Sequence, residues 1–451
     1  MRKLFRTLPS AGFLILIAAS AAAQTASPLA VKIGGMEFAP GGFLDFTTVY
    51  RSTAVGSGIG TNFAKIPYND TPSGRLSELR LSAQNSRLSL KMSGEHDGTE
   101  IAGYLEADFL GNAPTNLDVS SNSNTLRMRV FFVDLRHGSW EMLAGQDWGM
   151  LTPNRVGLSP MPSDIFYGLV GDTNYQVGLT WTRQPQFRVL YHATPQWTAG
   201  ISLEQGENYI GGSGSPTVTL PGGPNGPYAA QVNNGASGTA APGFTPDLVG
   251  KVAFDSKPSG QGLHLELAAL ESNFRVLSAA TGATTHAAGG GLSLNGNWAI
   301  AGGLRLIGSS FLGDGGGRYF VGMAPDMIIR QDGSISPVRA SGGLAGAEWQ
   351  VDPQEVLYAY YGGVAIGRDF DLSGATPVGY GFAGAGNSVN KSVQEASLGQ
   401  VRTFWKSAEF GSIQLLAQAS YVTRAPFDGT PGTARYAHAA MGWLNLRYNL
   451  P

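Results

Sequence analysis

Ile101-Ala102-Gly103-Tyr104-Leu105-Glu106-Ala107-Asp108-Phe109 sets the reading of the whole chain. Ile101, Gly103, Leu105, Ala107 and Phe109 fall on one face, and Tyr104, Glu106 and Asp108 on the other, which is the period of a β-strand whose two faces meet different media. The pattern returns along the chain. Leu126, Met128 and Val130 oppose Arg127 and Arg129. Ile413, Leu415, Ala417, Ala419 and Tyr421 oppose Gln414, Gln418 and Ser420, with Leu416 the apolar exception. Leu444, Leu446, Tyr448 and Leu450 oppose Asn445, Arg447 and Asn449. About sixteen such segments run from Gly41 to Leu450.

Their connections alternate in length. Tight turns are expected at His96-Asp97-Gly98, His137-Gly138-Ser139, Thr194-Pro195-Gln196, Lys257-Pro258-Ser259-Gly260, Asn295-Gly296-Asn297, Asp352-Pro353-Gln354 and Ala408 to Gly411, each carrying turn residues. Between them lie long connections at 53–76, 112–124, 151–176, 211–246, 273–284, 311–340, 369–390 and 425–433. One trimmed end and one elaborated end, with an even strand count, describe an all-β fold: an up-and-down antiparallel transmembrane β-barrel with short periplasmic turns and long extracellular loops. A Lys or Arg facing lipid at mid-bilayer costs about 2–4 kcal/mol, so the charged face is the wet lumen. A soluble sandwich would share the alternation, but usually has fewer strands.

Leu79 and Leu81 share one parity, and Leu88 and Leu90 the other. One extra residue near Gln84-Asn85-Ser86, a bulge, returns both pairs to lipid and decides where Arg87 points. Trp140, Trp148, Trp197, Tyr358, Tyr360, Trp405 and Tyr448 lie near strand ends. Interfacial girdles and plain strand propensity explain them equally.

Residues 1–23 read as a cleaved signal peptide: Arg2, Lys3 and Arg6, then Phe13 to Ala19, then Ala21-Ala22-Ala23. Residues 24–40 are then a short periplasmic segment, and 41–451 the barrel. There is no cysteine, which removes disulfides and thiolate chemistry. The net charge of −2 gives no basic surface for nucleic acid. Charged residues are 14% of the chain and glycines number 64, lean and glycine-rich beside a typical soluble domain.

The low-complexity stretch 211–246 reads as an outer loop, whereas 151–176 carries Phe166, Tyr167, Leu169 and Val170, apolar content suited to folding against the inner barrel wall. Inward-facing residues beside that third loop are the candidate pore-lining set. Arg127, Arg129 and Arg188 form a basic wall with Arg80 and Arg87 nearby, and Glu106, Asp108, Asp164 and Asp172 an opposing acidic side. Opposed signs would set a transverse field, while pairing along the wall would brace the barrel; both readings stand. Catalysis has thin support: six histidines, with His264 and Glu266 sharing a face as a base and partner. No metal spacing and no cofactor motif is present. A non-conducting surface adhesin is the other alternative, since the loops at 211–246 and 311–340 are long enough for display.

An ordered series of short motifs carries a resemblance: Gly42-Phe43-Leu44-Asp45, Leu81-Ser82-Ala83-Gln84-Asn85-Ser86-Arg87-Leu88, Leu105-Glu106-Ala107-Asp108-Phe109-Leu110-Gly111, Leu126-Arg127-Met128-Arg129, Leu143-Ala144-Gly145-Gln146-Asp147-Trp148 and Arg183-Gln184-Pro185-Gln186-Phe187-Arg188. Across about 40–190 the chain resembles the DcaP-like outer-membrane porins. The resemblance implies a homotrimer among the lipids of a diderm outer membrane, passing small hydrophilic solutes, dicarboxylates among them. Two features depart from it: residues 24–40 hold no heptads for the N-terminal coiled coil of some relatives, and the chain ends Tyr448-Asn449-Leu450-Pro451 rather than on an aromatic residue.

Overall fold

The computed structural model describes residues 27–112, 124–166, 169–212, 216–235, 245–385, 389–427 and 437–451. Residues 1–23 and parts of the stretches 112–124, 151–176, 211–246, 369–390 and 425–433 lie outside that set. Sixteen antiparallel strands form one closed barrel. They are β1 (Met36–Arg51), β2 (in two pieces, Glu78–Ser82 and Arg87–His96), β3 (Thr99–Asp108) and β4 (Arg127–His137). Then come β5 (Trp140–Trp148), β6 (Arg183–His192), β7 (Trp197–Glu204) and β8 (Asp247–Asp255). The far wall holds β9 (Leu263–Leu277), β10 (Thr284–Ala299), β11 (Leu304–Asp314) and β12 (Arg339–Asp352). The wall ends with β13 (Glu355–Ile366), β14 (Asn390–Ser407), β15 (Gly411–Pro426) and β16 (Ala437–Asn449). Each strand pairs with its chain neighbours, and β16 closes on β1 from Phe43↔Asn449 to Arg51↔Met441. Closure leaves no unpaired backbone edge in hydrocarbon. Among the described residues no helix is long and apolar enough to cross a membrane.

β1 starts at Met36, five residues before the expected boundary. The preceding Val31–Ile33 pairs with Met36–Phe38 and continues the wall below the C terminus, where Ser27 Oγ donates to the Pro451 carbonyl at 3.3 Å. The β2–β3 turn places Asp97 and Gly98 at φ 50° and 73°, the twist that a two-residue hairpin demands. One expected turn is corrected. Asn295-Gly296-Asn297 lies inside β10, and the chain reverses at 300–303 through Gly302 and Gly303, at φ 79° and 80°. Asn295 and Asn297 face inward and take partners in the lumen, Ser309 Oγ donating to Asn295 Oδ1 at 2.8 Å. Turn chemistry read from residue type misled here because a polar wet wall uses the same residues.

Bulges set which side chains face in. Between the pieces of β2, Ala83 to Ser86 interrupts the ladder and Asp45 N–H donates to Ser86 Oγ at 3.0 Å. Leu79, Leu81 and Leu88 all point outward, and Arg87 inward. A second bulge on β4 sits opposite Glu106/Ala107. It turns both Arg129 and Val130 inward, so Val130 leaves the lipid face assigned to it by simple parity. On β14 a third, near Phe404, puts Phe404 and Trp405 both outside.

The outer surface is a leucine-rich belt that includes Leu44, Leu88, Leu267, Leu294, Leu398 and Leu446. At its short-turn rim stand Trp140, Trp197, Trp298, Trp349 and Trp405, an interfacial girdle. Tyr448 at the same rim donates to the Phe410 carbonyl at 2.6 Å. Trp148, Tyr358 and Tyr360 are not part of the girdle: they are buried inside, against the third loop. At the opposite end, loop 1 (52–77), loop 6 (315–338) and the described parts of loop 4 (205–246) and loop 7 (367–389) fold over the mouth. Phe63, Ile210, Met327, Ile328, Ile329 and Tyr380 share one apolar cluster there. Within it Arg318 pairs with Asp247 and lies 3.5 Å from Asp326, whose carboxyl is pushed up to about 8 by burial. Depth in the belt predicts substitution cost. Leu294→Arg at mid-wall should destabilise refolding into lipid by about 2–4 kcal/mol, and Leu277→Arg at the outer end by about 0–1 kcal/mol, measured by denaturant titration in vesicles.

The lumen at loop 3

Loop 3 (149–182) enters the barrel because its side chains are too apolar for water. Ile165, Phe166, Val170 and Leu179 are buried against wall residues from two sides, Val130, Phe132 and Leu143 on one and Ile307, Leu344, Tyr358 and Tyr360 on the other. Its backbone is tied around the circumference. Met150 N–H donates to Glu204 at 2.6 Å, Gly171 N–H to Gln418 at 2.7 Å, and Val177 N–H to Glu395 at 3.0 Å. Arg155 makes a two-pronged pair with Glu348, at 2.7 and 2.9 Å. The return limb lies so close to β12 and β13 that a Cβ at Gly362 would fall 2.0 Å from the Val177 carbonyl oxygen. At Gly178, with φ 92°, a Cβ would fall 2.1 Å from that of Gly343. Close approach requires glycine at Gly362, and close approach together with the positive φ requires it at Gly178.

The loop divides the lumen into unequal spaces. Toward the short-turn end lies a vestibule of about 990 Å³, whose lining includes Lys91, Glu95, Asp134, Arg136, Glu141 and His192. Beside the loop, on the β16–β1–β2 side, a cavity of about 90 Å³ is bounded by Asn85, Arg87, Trp148, Asp172, Tyr175 and Arg447, among others.

Charges around that narrow space form a ladder. Arg129 sits between Glu106 and Asp108, with Nη1 donating to Asp108 at 2.9 Å. Arg127 grips both oxygens of Asp108, at 2.7 and 3.0 Å, and Arg87 lies 3.5 Å from Glu106. Arg188 donates to the Trp148 carbonyl at 2.7 Å and lies 3.5 Å from Asp147. Arg80 is near the outer rim, 3.6 Å from Glu78. Asp172 accepts from Thr61 N–H and Asn174 N–H, pinning loop 3 to loop 1. Asp164 lies in a short 3₁₀ turn of the loop, and its side chain is outside the described set. Glu106 and Asp108 therefore stand on the same wall as Arg127 and Arg129, as bracing partners. They do not face those arginines across the lumen.

Reading by strand faces missed three further groups. Arg447 donates to Asp45 at 2.8 Å, and its guanidinium and that of Arg87 both cover the Phe43 ring, at 4.1 and 5.0 Å. Arg183 lies 5.3 and 5.7 Å from the rings of Trp148 and Trp181. Its Nε and Nη1 have no hydrogen-bond partner among the described residues. Tyr175 OH is 3.4 Å from Arg129. The inward parity of Arg447 was visible in its strand, and Arg183 opens one of the quoted motifs. Arg183 is the first residue of β6, out of phase with the inward Gln184, Gln186 and Arg188, so parity alone puts it on the outer face.

His264 sits in the wall between two acidic side chains. It is buried on β9, with Nδ1 2.8 Å from Asp255 and Nε2 3.2 Å from Glu266. No group of His, Asp and Glu that could hold a metal occurs among the described residues. Side-chain burial ranks the ladder. Arg129 is 1% exposed and Arg127 31%. Arg129→Ala leaves Asp108 to Arg127 alone and Glu106 to the more distant Arg87, and should cost about 3 kcal/mol in barrel stability, read from the urea midpoint, with a smaller loss for Arg127→Ala.

No protein-family model and no curated protein sequence matches the chain. Solved structures do. The outer-membrane channel DcaP of Acinetobacter baumannii superposes with a TM-score of 0.65 at 17% identity, covering 93% of this chain and 99% of that one. An anion-selective porin from Comamonas acidovorans gives 0.52 at 14% identity, covering 92% and 100%. Salmonella typhi OmpF, in complex with daunomycin, gives 0.51 at 10%, covering 93% and 100%. The closed antiparallel wall is what these structures share with it: the chain is a sixteen-stranded β-barrel with the fold of the DcaP channel.

Proposed function

We propose that this barrel is a porin: a water-filled path for passive diffusion of small polar solutes, anions such as dicarboxylates among them, narrowed where loop 3 meets the β16–β1–β2 wall. The arrangement of arginines carries the reading. Arg87 and Arg447 line a narrow space inside a wall sealed by lipid-facing leucines, and Arg129 and Arg183 lie against the ring of Trp148, another of its lining residues. Guanidinium groups remain charged at all accessible pH and bind carboxylates in two-point geometry. The Nε and Nη1 of Arg183 are buried without a hydrogen-bond partner among the described residues, an unmet demand that an anion reaching in beside Trp148 would satisfy. The pairing of Arg127, Arg129 and Arg188 with wall acceptors makes these three the frame of the eyelet. Selectivity then rests on Arg87, Arg183 and Arg447, with Glu106, Asp108 and Asp172 setting the field they act in. The resemblance to DcaP-type porins supports a homotrimer, assembled through the barrel wall.

Planar-bilayer recording under a salt gradient tests this. The purified barrel should give stepwise currents, in groups of three for a trimer, with a reversal potential on the anion side. Arg87→Gln combined with Arg183→Gln should lower the anion-to-cation permeability ratio by about threefold, equivalent to ~0.6 kcal/mol of altered field. A folded, inserted barrel that passes no current would favour the surface-adhesin reading instead.

A further inference from the structure

Opposite the arginine ladder, a second set of charged groups lies buried under loop 3 and has no part in the eyelet. Lys251 on β8 reaches Glu266 on β9 at 2.8 Å, and His264 lies between Glu266 and Asp255, at 3.2 and 2.8 Å. All four side chains are buried. Their lumen-facing atoms meet the first limb of loop 3. Lys251 Nζ donates to the Thr152 carbonyl at 2.9 Å and to Asn154 Oδ1 at 3.1 Å. Asn154 N–H donates to Glu266 Oε1 at 3.0 Å, and Gly157 N–H to Asp255 Oδ2 at 2.9 Å. Three of the four thus bind loop backbone, and His264 joins the two carboxylates that do so.

We propose that Lys251, Glu266, His264 and Asp255 act together as a clamp that positions loop 3, so that this remote cluster sets the width and steadiness of the pore. The inference rests on the porin reading for its electrical readout, and on geometry alone for the position of the loop. Three physical points support it. A backbone amide bound to a buried carboxylate is a charge-assisted hydrogen bond, stronger than its neutral counterpart. The clamp holds residues 152–157, just before the Pro160 to Ile165 stretch that bounds both the vestibule and the narrow cavity. The far side of the same limb is held by Arg155 on Glu348, so loosening one side leaves the loop hinged on the other. These are positioning residues: none of them borders the narrow cavity.

The absence of native cysteine makes the test clean. Thr152→Cys places a thiol under the clamped limb, where Thr152 is 4% exposed. The parent for comparison is that single-cysteine protein. Lys251→Met with Glu266→Gln removes one charge of each sign and breaks the grip without leaving an uncompensated ion. Thiol modification by a small methanethiosulfonate reagent should speed up about tenfold or more as the limb opens locally. Single-channel records should change from one steady level to flicker between levels. Arg402→Gln, which breaks a rim pair with Asp352 and Glu355 far from loop 3, should change neither readout. If the double variant fails to show the heat-modifiable migration of a folded barrel, Asp255→Asn, which neutralises the acceptor of Gly157 and the partner of His264, replaces it. Parent-like modification rate and parent-like current in a conducting protein would overturn the clamp. If the parent itself does not conduct, the porin reading fails, and the modification rate alone still decides the clamp.

Discussion

A backbone amide in hydrocarbon has no water to turn to, and every other feature of this molecule is arranged under that constraint. It forces the sheet to close, and the β1–β16 ladder is the closure. Once closed, the wall has two faces, and period-two alternation sends leucines to lipid and charges inward. Charges inward are crowded into a narrow volume with little water, so they pair. The Arg127–Asp108, Arg129–Glu106 and Lys251–Glu266 contacts are consequences of enclosure. Broken pairs would be costly in such surroundings, whereas intact ones add little net stability. Their value here is in fixing positions.

Loop 3 joins these two halves of the design. Its apolar side chains drive it off the aqueous surface, and its backbone polar groups must then be satisfied inside the barrel. Buried carboxylates supply acceptors for that backbone: Glu204 for Met150, Glu266 for Asn154, Asp255 for Gly157 and Glu395 for Val177. Much of the acidic lining of the lumen is thus committed to holding a loop, while arginines cover the rings of Phe43, Trp148 and Trp181.

Much of this was readable before any coordinates. Strand alternation gave the lipid and lumen faces of Glu106, Asp108, Arg127 and Arg129, and the parity change between Leu81 and Leu88 located the β2 bulge. Alternation fails where the chain adds a residue without a change of leucine parity to mark it. The β4 bulge follows Met128, and so Val130 was put on the wrong face. Turn residues fail where the lumen itself wants Asn and Gly, as at Asn295 to Asn297. Pairing across loops was out of reach. Nothing in the spacing of Arg155 and Glu348, or of Asp172 and Thr61, marks them as partners, because loop closure in three dimensions brings them together.

The central claim is that solutes pass loop 3 on the β16–β1–β2 side. Thr173 borders that narrow space, and a single cysteine there tests the claim directly. Attaching a bulky thiol reagent to Thr173→Cys during single-channel recording should cut the current sharply, and reduction of the adduct should restore it. Full current through a protein shown by mass to be completely modified would place the path elsewhere and contradict the account.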